Sequence, residues 1–512
     1  MSVEEKWPEG YENSELFKHH PELYKALFVD KRNIFLSGEG GTGKSWIVAN
    51  MIKPESDRLE IKCALTSTTG VSANRLGRGA QTVHRWGGIR LGDKPADVVV
   101  GWVKQRSDVK KRWKECKILV IDEMSMLNST TFELLDEVGQ RIKYNMRDLK
   151  AFRKEKIPIP TFGGIQLIAT ADFLQLPPVD GKFAFETKLW ERMNFFNYRL
   201  WEPKRYSDLE HFQRLQRVRL GEMTDKDIED FRERVKACDE YKKKERDGAL
   251  DEEIKPTRIF ARRADVDGVN IDELDNLEGE IICYESNDHI IVKPGKDGIP
   301  LIDPEKVNRE QYADILDEIC ASEVHLKPGA QVMLTRNLSV EEELVNGSRG
   351  IVEACLDDRV TVRFRSGDSV DIVPYPCEFE DETVVCVRNQ IPLMLAWAST
   401  IHKSQSTTLD YVIGDCGTSV FAPGMAYVLL SRCKTLKGML LSNFMAKMVK
   451  PHPKALEFEK KVRENSVMAA ASKPVDENRI EPNKEGEVEN EQKEGEISVP
   501  LCTTEEVKID QK

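Results

Sequence analysis

The chain has 512 residues, 40% of them hydrophobic and 32% charged, with a formal net charge of −12. That much apolar material excludes a wholly disordered chain and suggests about three domains. The opening MSVEEKWPEG carries no apolar signal-peptide core, and no apolar run approaches the roughly 18 residues of a membrane span, so a soluble intracellular protein is expected.

In chain order, NIFLS (33–37) reads as a buried strand, followed by a glycine-rich turn and the helical SWIVANMI. CALTSTT (63–69), KILVID (117–122) and GIQLIATAD (164–172) read as three further strands. Near-continuous apolar strands separated by helices predict a parallel sheet covered on both faces. A second α/β set begins at TRIFA (257–261), followed by a helix from Arg263 to about Leu277, and resumes at PLMLAWAST (392–400) and YVLLSR (427–432), the last expected as a strand. Between its two parts, 281–390 changes character. GIVEAC, RVTVRF and SVDIVPY are short strands with turn signals at Asn346-Gly347, Asp357-Asp358 and Ser366-Gly367-Asp368, which predicts a small inserted β-barrel. From 468 onward the chain is polar and almost free of aromatics, and 471–512 holds 12 Asp and Glu against 6 Lys and Arg. That tail is expected to be disordered. The 11 cysteines include no CxxC pair, which fits a reducing compartment better than a disulfide framework or a zinc cluster.

The chemistry starts at Gly38-Glu39-Gly40-Gly41-Thr42-Gly43-Lys44-Ser45, a G-x-x-x-x-G-K-S run between a strand and a helix. Its glycines let backbone N–H groups turn toward phosphate oxygens, and the helix N-terminus adds positive potential. Lys44 is placed to reach the β and γ phosphates and Ser45 to ligate Mg²⁺. Asp122-Glu123 ends the strand KILVI, where a carboxylate pair faces the nucleotide crevice. Asp122 suits the second shell of Mg²⁺ and Glu123 a general base for the attacking water. Together these motifs make a nucleotide hydrolase, and they do not say what hydrolysis drives.

The remaining motifs resemble the Pif-type (petite integration frequency) helicases, superfamily-one DNA helicases that move 5′→3′, and their RecD-like relatives. The matching stretches stand in the family's order from about 33 to 440: FLSGEGGTGKS, TTGVSA, TVHRWGGI, LVIDEMSML, ADFLQLPPV, HLKPGAQVMLTRN, NGSRG, AWASTIHKSQSTTLD and YVLLSR. The resemblance implies an α/β protein of two RecA-like P-loop NTPase domains with ATP between them. The first would span 1–200, and the second 201–280 with 391–467. The inserted 281–390 would be an SH3-like β-barrel and 468–512 the disordered acidic tail. It further implies that Gln175 senses the γ-phosphate, that Arg432 acts as an arginine finger, and that Arg205 does similar work although Tyr206 follows where glutamine is usual. Thr68, Thr69, His84 and Trp86 would hold single-stranded DNA on the first domain, and Thr400, His402, Lys403 and Gln405 on the second. Taken as residues alone, Trp86 is read either as a stacking platform or as core, Gln175 reads first as a surface amide, and Arg205 has a solvated surface arginine as its alternative.

No glutamine stands in HHPELYKALF (19–28) to read adenine, Ala171 and Ser406 replace customary glycines, and Met425 replaces a glutamine. The expected protein is an ATP- and Mg²⁺-dependent 5′→3′ DNA helicase, a monomer acting on single-stranded, duplex or forked DNA in replication, repair, recombination or telomere maintenance. If the source is a eukaryote, it would work in the nucleus or mitochondrion. A DNA-stimulated translocase or remodeller without strand separation is the alternative. An inactive nucleic-acid scaffold is opposed by the intact Lys44, Glu123 and Arg432, and a small-molecule P-loop enzyme by the paired domains and TIHKSQ.

Overall fold

The computed structural model describes residues 7–468, except 78, 207, 250–253, 295–298, 318–319, 337, 340–341, 343, 366, 381–382 and 406. The acidic tail from 469, and Ser406, therefore lie outside the described residues. No described helix is long and apolar enough to cross a membrane.

Two parallel sheets organise the chain, as the alternation of apolar strands and helices predicts. The first has seven strands in the order Val467–Met468, Phe196–Leu200, Ile34–Gly38, Gln166–Ala171, Ile118–Asp122, Cys63–Ser67 and Gln81–Thr82. Every pairing in it is parallel. Ile34–Gly38 and Ile118–Asp122 are buried along their whole length, so neither shows a polar face in sequence. Alternate residues still go to opposite sides, as the pleat demands. Phe35, Leu119 and Ile121 join one core with Trp113, Phe132 and Phe162, whereas Ile34, Leu36 and Val120 join another with Leu23, Val48 and Ile52.

The second sheet has four parallel strands, Ala398–Thr400, Thr257–Phe260, Val412–Cys416 and Met439–Phe444. Against it lies the helix Met425–Leu430, every residue of which is buried. The strand expected at YVLLSR is thus a helix. A continuous apolar run has no period, so it suits an element buried all round, whether helix or strand.

Between the parts of the second sheet the backbone becomes antiparallel. Ser369–Ile372, Val360–Phe364, Arg349–Cys355, Gln331–Leu334 and Leu393–Leu395 form one sheet; Tyr375–Glu380, Val384–Gln390 and Asn287–Val292 form another. Val384–Gln390 alternates buried and half-buried positions, the pattern of a strand with one covered face. A third pairing, Glu323–Leu326 with Ile282–Glu285, makes a short ribbon.

Two expected boundaries need correction, and the first is at 390/391, because Leu393–Leu395 pairs with Gln331–Leu334 of the inserted sheet. The span 391–467 does not stay with the second sheet. The helix Pro453–Glu464 sinks Ala455 and Val462 into the core of the first domain, and Val467–Met468 forms the edge of its sheet. An amphipathic helix does not carry in its own sequence the identity of the sheet it covers.

Candidate active site

The glycine loop leaves the strand Ile34–Gly38 and enters a helical stretch that runs from Lys44 to Arg58. Gly41 and Gly43 have φ of +87° and +91°, a region open to glycine at little cost. A Cβ on Gly38 would stand 2.4 Å from the Leu200 carbonyl oxygen. The loop is thus tight against its neighbour strand as well as left-handed. Lys44 Nζ donates to the carbonyls of Gly38 and Glu39 at 2.9 and 3.0 Å, and Thr42 Oγ1 donates to Glu39 O at 2.9 Å.

Ser45 Oγ donates to both carboxylate oxygens of Asp122, at 3.1 and 2.9 Å. Thr170 also donates to Asp122. Asp122 is buried, and burial first, then the neighbouring Glu123 charge, pushes its carboxyl above the usual range. Glu123 leaves the strand with φ +53°, which turns it away from its buried neighbour. Thr68 Oγ1 donates to its carbonyl at 3.0 Å, and its own N–H donates to Thr170 Oγ1 at 3.4 Å.

Gln175 is buried beside the loop. Its Nε2 donates to Asp172 at 3.2 Å and lies 3.3 Å from where a Cβ on Gly40 would stand. The segment carrying Arg205 clasps the loop from outside: the N–H groups of Lys204 and Arg205 donate to Gly41 O at 2.9 and 3.1 Å. Arg432 is brought close but is turned inward. Its guanidinium donates to Val428 O at 2.6 Å, Ser404 O at 2.9 Å, Thr407 O at 3.3 Å and Ser431 Oγ at 2.6 Å. Burial, then the charge of Arg205, lowers its pKa to about 10.

Two contacts that sequence reasoning missed tie the second sheet's elements to the first domain, one of them at this loop. Gly40 N–H donates to the hydroxyl of Tyr427 at 3.3 Å, and Arg75 Nη2 donates to Thr407 Oγ1 at 2.8 Å. Both residues lie inside or beside motif stretches, but nothing in their type announces a contact so distant in sequence.

The expected DNA residues separate into groups. Thr69 and Thr400 cap short helices, accepting from Ser72 N–H at 3.2 Å and Lys403 N–H at 3.0 Å. Lys403 is exposed and His84 and His402 are half-buried. Burial lowers the pKa of both histidines. Gln405 is buried, and its Nε2 donates to Glu123 Oε2 at 3.2 Å. Trp86 is 3% exposed, with its ring centroid 4.6 Å from that of Trp113. Its face is covered by core, so the stacking expectation is corrected in favour of packing.

A family profile described as "PIF1-like helicase" matches residues 20–248, and one described as "DNA helicase Pif1, 2B domain" matches 317–354. The ATP-dependent DNA helicase PIF1 of Xenopus laevis is 34% identical over 455 residues, covering 86% of this chain and 64% of the relative. Its Homo sapiens counterpart is 34% identical over 491 residues, covering 92% and 69%. The chain spans just under two thirds of the length of the first relatives it matches. Among solved structures, Bacteroides sp Pif1 in complex with ADP-AlF4 superposes with a TM-score of 0.67 at 26% identity, covering 88% of this chain and 97% of that one.

Proposed function

The chain belongs to the PIF1-like helicase family, and on that premise we propose that it is an ATP-dependent helicase that moves 5′→3′ on single-stranded DNA and separates duplex or forked DNA. The observation that carries this reading is the junction itself. The phosphate loop meets Tyr427 and the acidic pair meets Gln405 of the second set of elements, and Arg75 of the first domain donates to Thr407 beside them. A nucleotide seated there touches both halves, so binding and hydrolysis can draw them together and release them.

Within that reading, the backbone N–H groups of residues 38–45 and Lys44 hold the phosphates of ATP. Ser45 and Asp122 offer only oxygen donors, and a hydroxyl facing a carboxylate fits a hard cation such as Mg²⁺. Bound there, the ion would neutralise charge on the β and γ phosphates. Glu123 is the general base. Gln175, beside Gly40, addresses the γ-phosphate, and Arg205 and Arg432 supply cationic charge, Arg432 after giving up carbonyl partners it now holds. Exposed Lys403, with His402, Thr400, Thr68, Thr69 and His84, forms the DNA track.

The test is ATP hydrolysis with Mg²⁺, with and without a single-stranded oligothymidylate. Stimulation of about tenfold or more is expected, with loss of hydrolysis of about a hundredfold or more in Lys44→Ala. Equal rates with and without the strand would count against the proposal.

A further inference from the structure

Gln405 sits in TIHKSQ, the stretch expected to grip DNA, yet its side chain serves the ATPase. It is 5% exposed and its amide N–H meets the Glu123 carboxylate at 3.2 Å. Its Oε1 is buried without a hydrogen-bond partner among the described residues. A buried amide with one end satisfied is costly, so its position is imposed by the surroundings.

Hydrogen bonds hold described residues on both sides of the contact. Arg432 ties the carbonyls of Ser404 and Thr407, which flank Gln405, and Arg75 ties the Thr407 hydroxyl. Across the gap the Glu123 backbone is fixed by Thr68 and Thr170. What remains adjustable is the carboxylate, and Gln405 is one of the groups that aims it. The same residue caps the C-terminus of the short helix Ile401–Ser404, whose exposed Lys403 faces solvent. A strand engaging Lys403 and His402 therefore pulls on the element that carries the amide.

We infer that Gln405 is a positioning residue that restrains the Glu123 carboxylate, and that nucleic acid binding to Thr400, His402 and Lys403 releases it, so that DNA gates hydrolysis. This rests on the helicase reading and names the link between its two ligands. The physical cause is simple. A general base must present a lone pair to the attacking water. An N–H donated to Oε2 fixes the direction of the carboxylate and takes up a lone pair that could otherwise face the water.

The experiment measures kcat and KM for ATP, with and without oligothymidylate, in Gln405→Ala and Gln405→Asn. The asparagine amide is one carbon shorter; it keeps the pocket polar and guards against a folding defect in the alanine variant. Oligothymidylate affinity is read separately by fluorescence anisotropy. In both variants the DNA-free kcat is expected to rise about threefold or more, with KM for ATP and DNA affinity each within about twofold of wild type. The stimulation ratio falls accordingly. A DNA-free rate unchanged while DNA affinity drops about tenfold overturns the proposal and makes Gln405 a strand contact. A fall in kcat of equal size with and without DNA overturns it in favour of support for the productive base. A wild-type chain indifferent to DNA overturns this proposal and the helicase reading together, whereas a stimulated wild type with unchanged variants overturns this proposal alone.

Discussion

His211 stands near the start of the helix Leu209–Leu220 with its side chain fully buried and its ring 6.1 Å from that of Tyr206. Burial first, and then the charge of Arg214, lowers its pKa from 6.5 to about 4. Above pH 6.5 the ring is neutral folded or unfolded and contributes no pH dependence. Below it the unfolded chain takes up a proton that the folded chain refuses, so stability falls until about pH 4. By pH 5 the loss from this one residue is about 2 kcal/mol. Thermal unfolding between pH 7 and pH 5 should show this slope, and His211→Gln should flatten it; an unchanged slope would place the titrating groups elsewhere. None of this is legible in sequence, because a lone histidine on a helix looks the same in core and in solvent. Trp86 teaches the same lesson. By contrast, the meeting of Lys44, Ser45 and Asp122 was legible in sequence, because the motifs place those residue types around neighbouring strand ends. Gln405 and Arg432 lie between these cases: the sequence marks the stretches that hold them, while their partners depend on how two sheets meet.

The helix Pro453–Glu464 shows what an element can hide. Glu459, 5% exposed, accepts from Arg199 at 2.7 Å and Arg219 at 3.0 Å. Arg199 also donates to Glu39 of the phosphate loop, and Arg219 donates to Asp172 at 2.7 Å. Burial alone would raise the pKa of Glu459, but Arg219 and Arg199 outweigh it and hold the carboxyl at about 2. Five elements thus share one buried set of charges, and it ends on the glycine loop. Removing one member leaves the others uncompensated. Glu459→Ala is expected to cost about 3–5 kcal/mol in urea unfolding and to raise KM for ATP through the loosened Glu39. A loss under about 0.5 kcal/mol would mean water replaces the carboxylate at no cost. In sequence, PKALEFEKKVRE reads as an ordinary amphipathic helix with exposed acids, so neither its domain nor its charge partners can be inferred. The helix Met425–Leu430 escaped for the opposite reason, having no polar face to reveal its period.

At the scale of the molecule, the chain holds two parallel sheets, and antiparallel sheets interrupt the second half. This much was legible, because buried parallel strands and half-covered antiparallel strands leave different patterns of apolar residues. The return of the chain end to the first sheet was not, since two-residue Val467–Met468 carries no strand signal. The arrangement makes physical sense of a motor. Gln405, which follows the strand Ala398–Thr400 and the helix Ile401–Ser404, meets Glu123 at the end of a first-sheet strand, so on the proposed function a change at the γ-phosphate would be felt by the segment that carries Lys403. Unwinding of two partial duplexes, one with a 5′ single-stranded tail and one with a 3′ tail, tests that account most directly when ATP and Mg²⁺ are present and Lys44→Ala serves as control. The account predicts strand separation from the 5′-tailed duplex alone, abolished in Lys44→Ala. Separation from the 3′-tailed duplex alone, or DNA-stimulated hydrolysis with neither duplex opened, would contradict it.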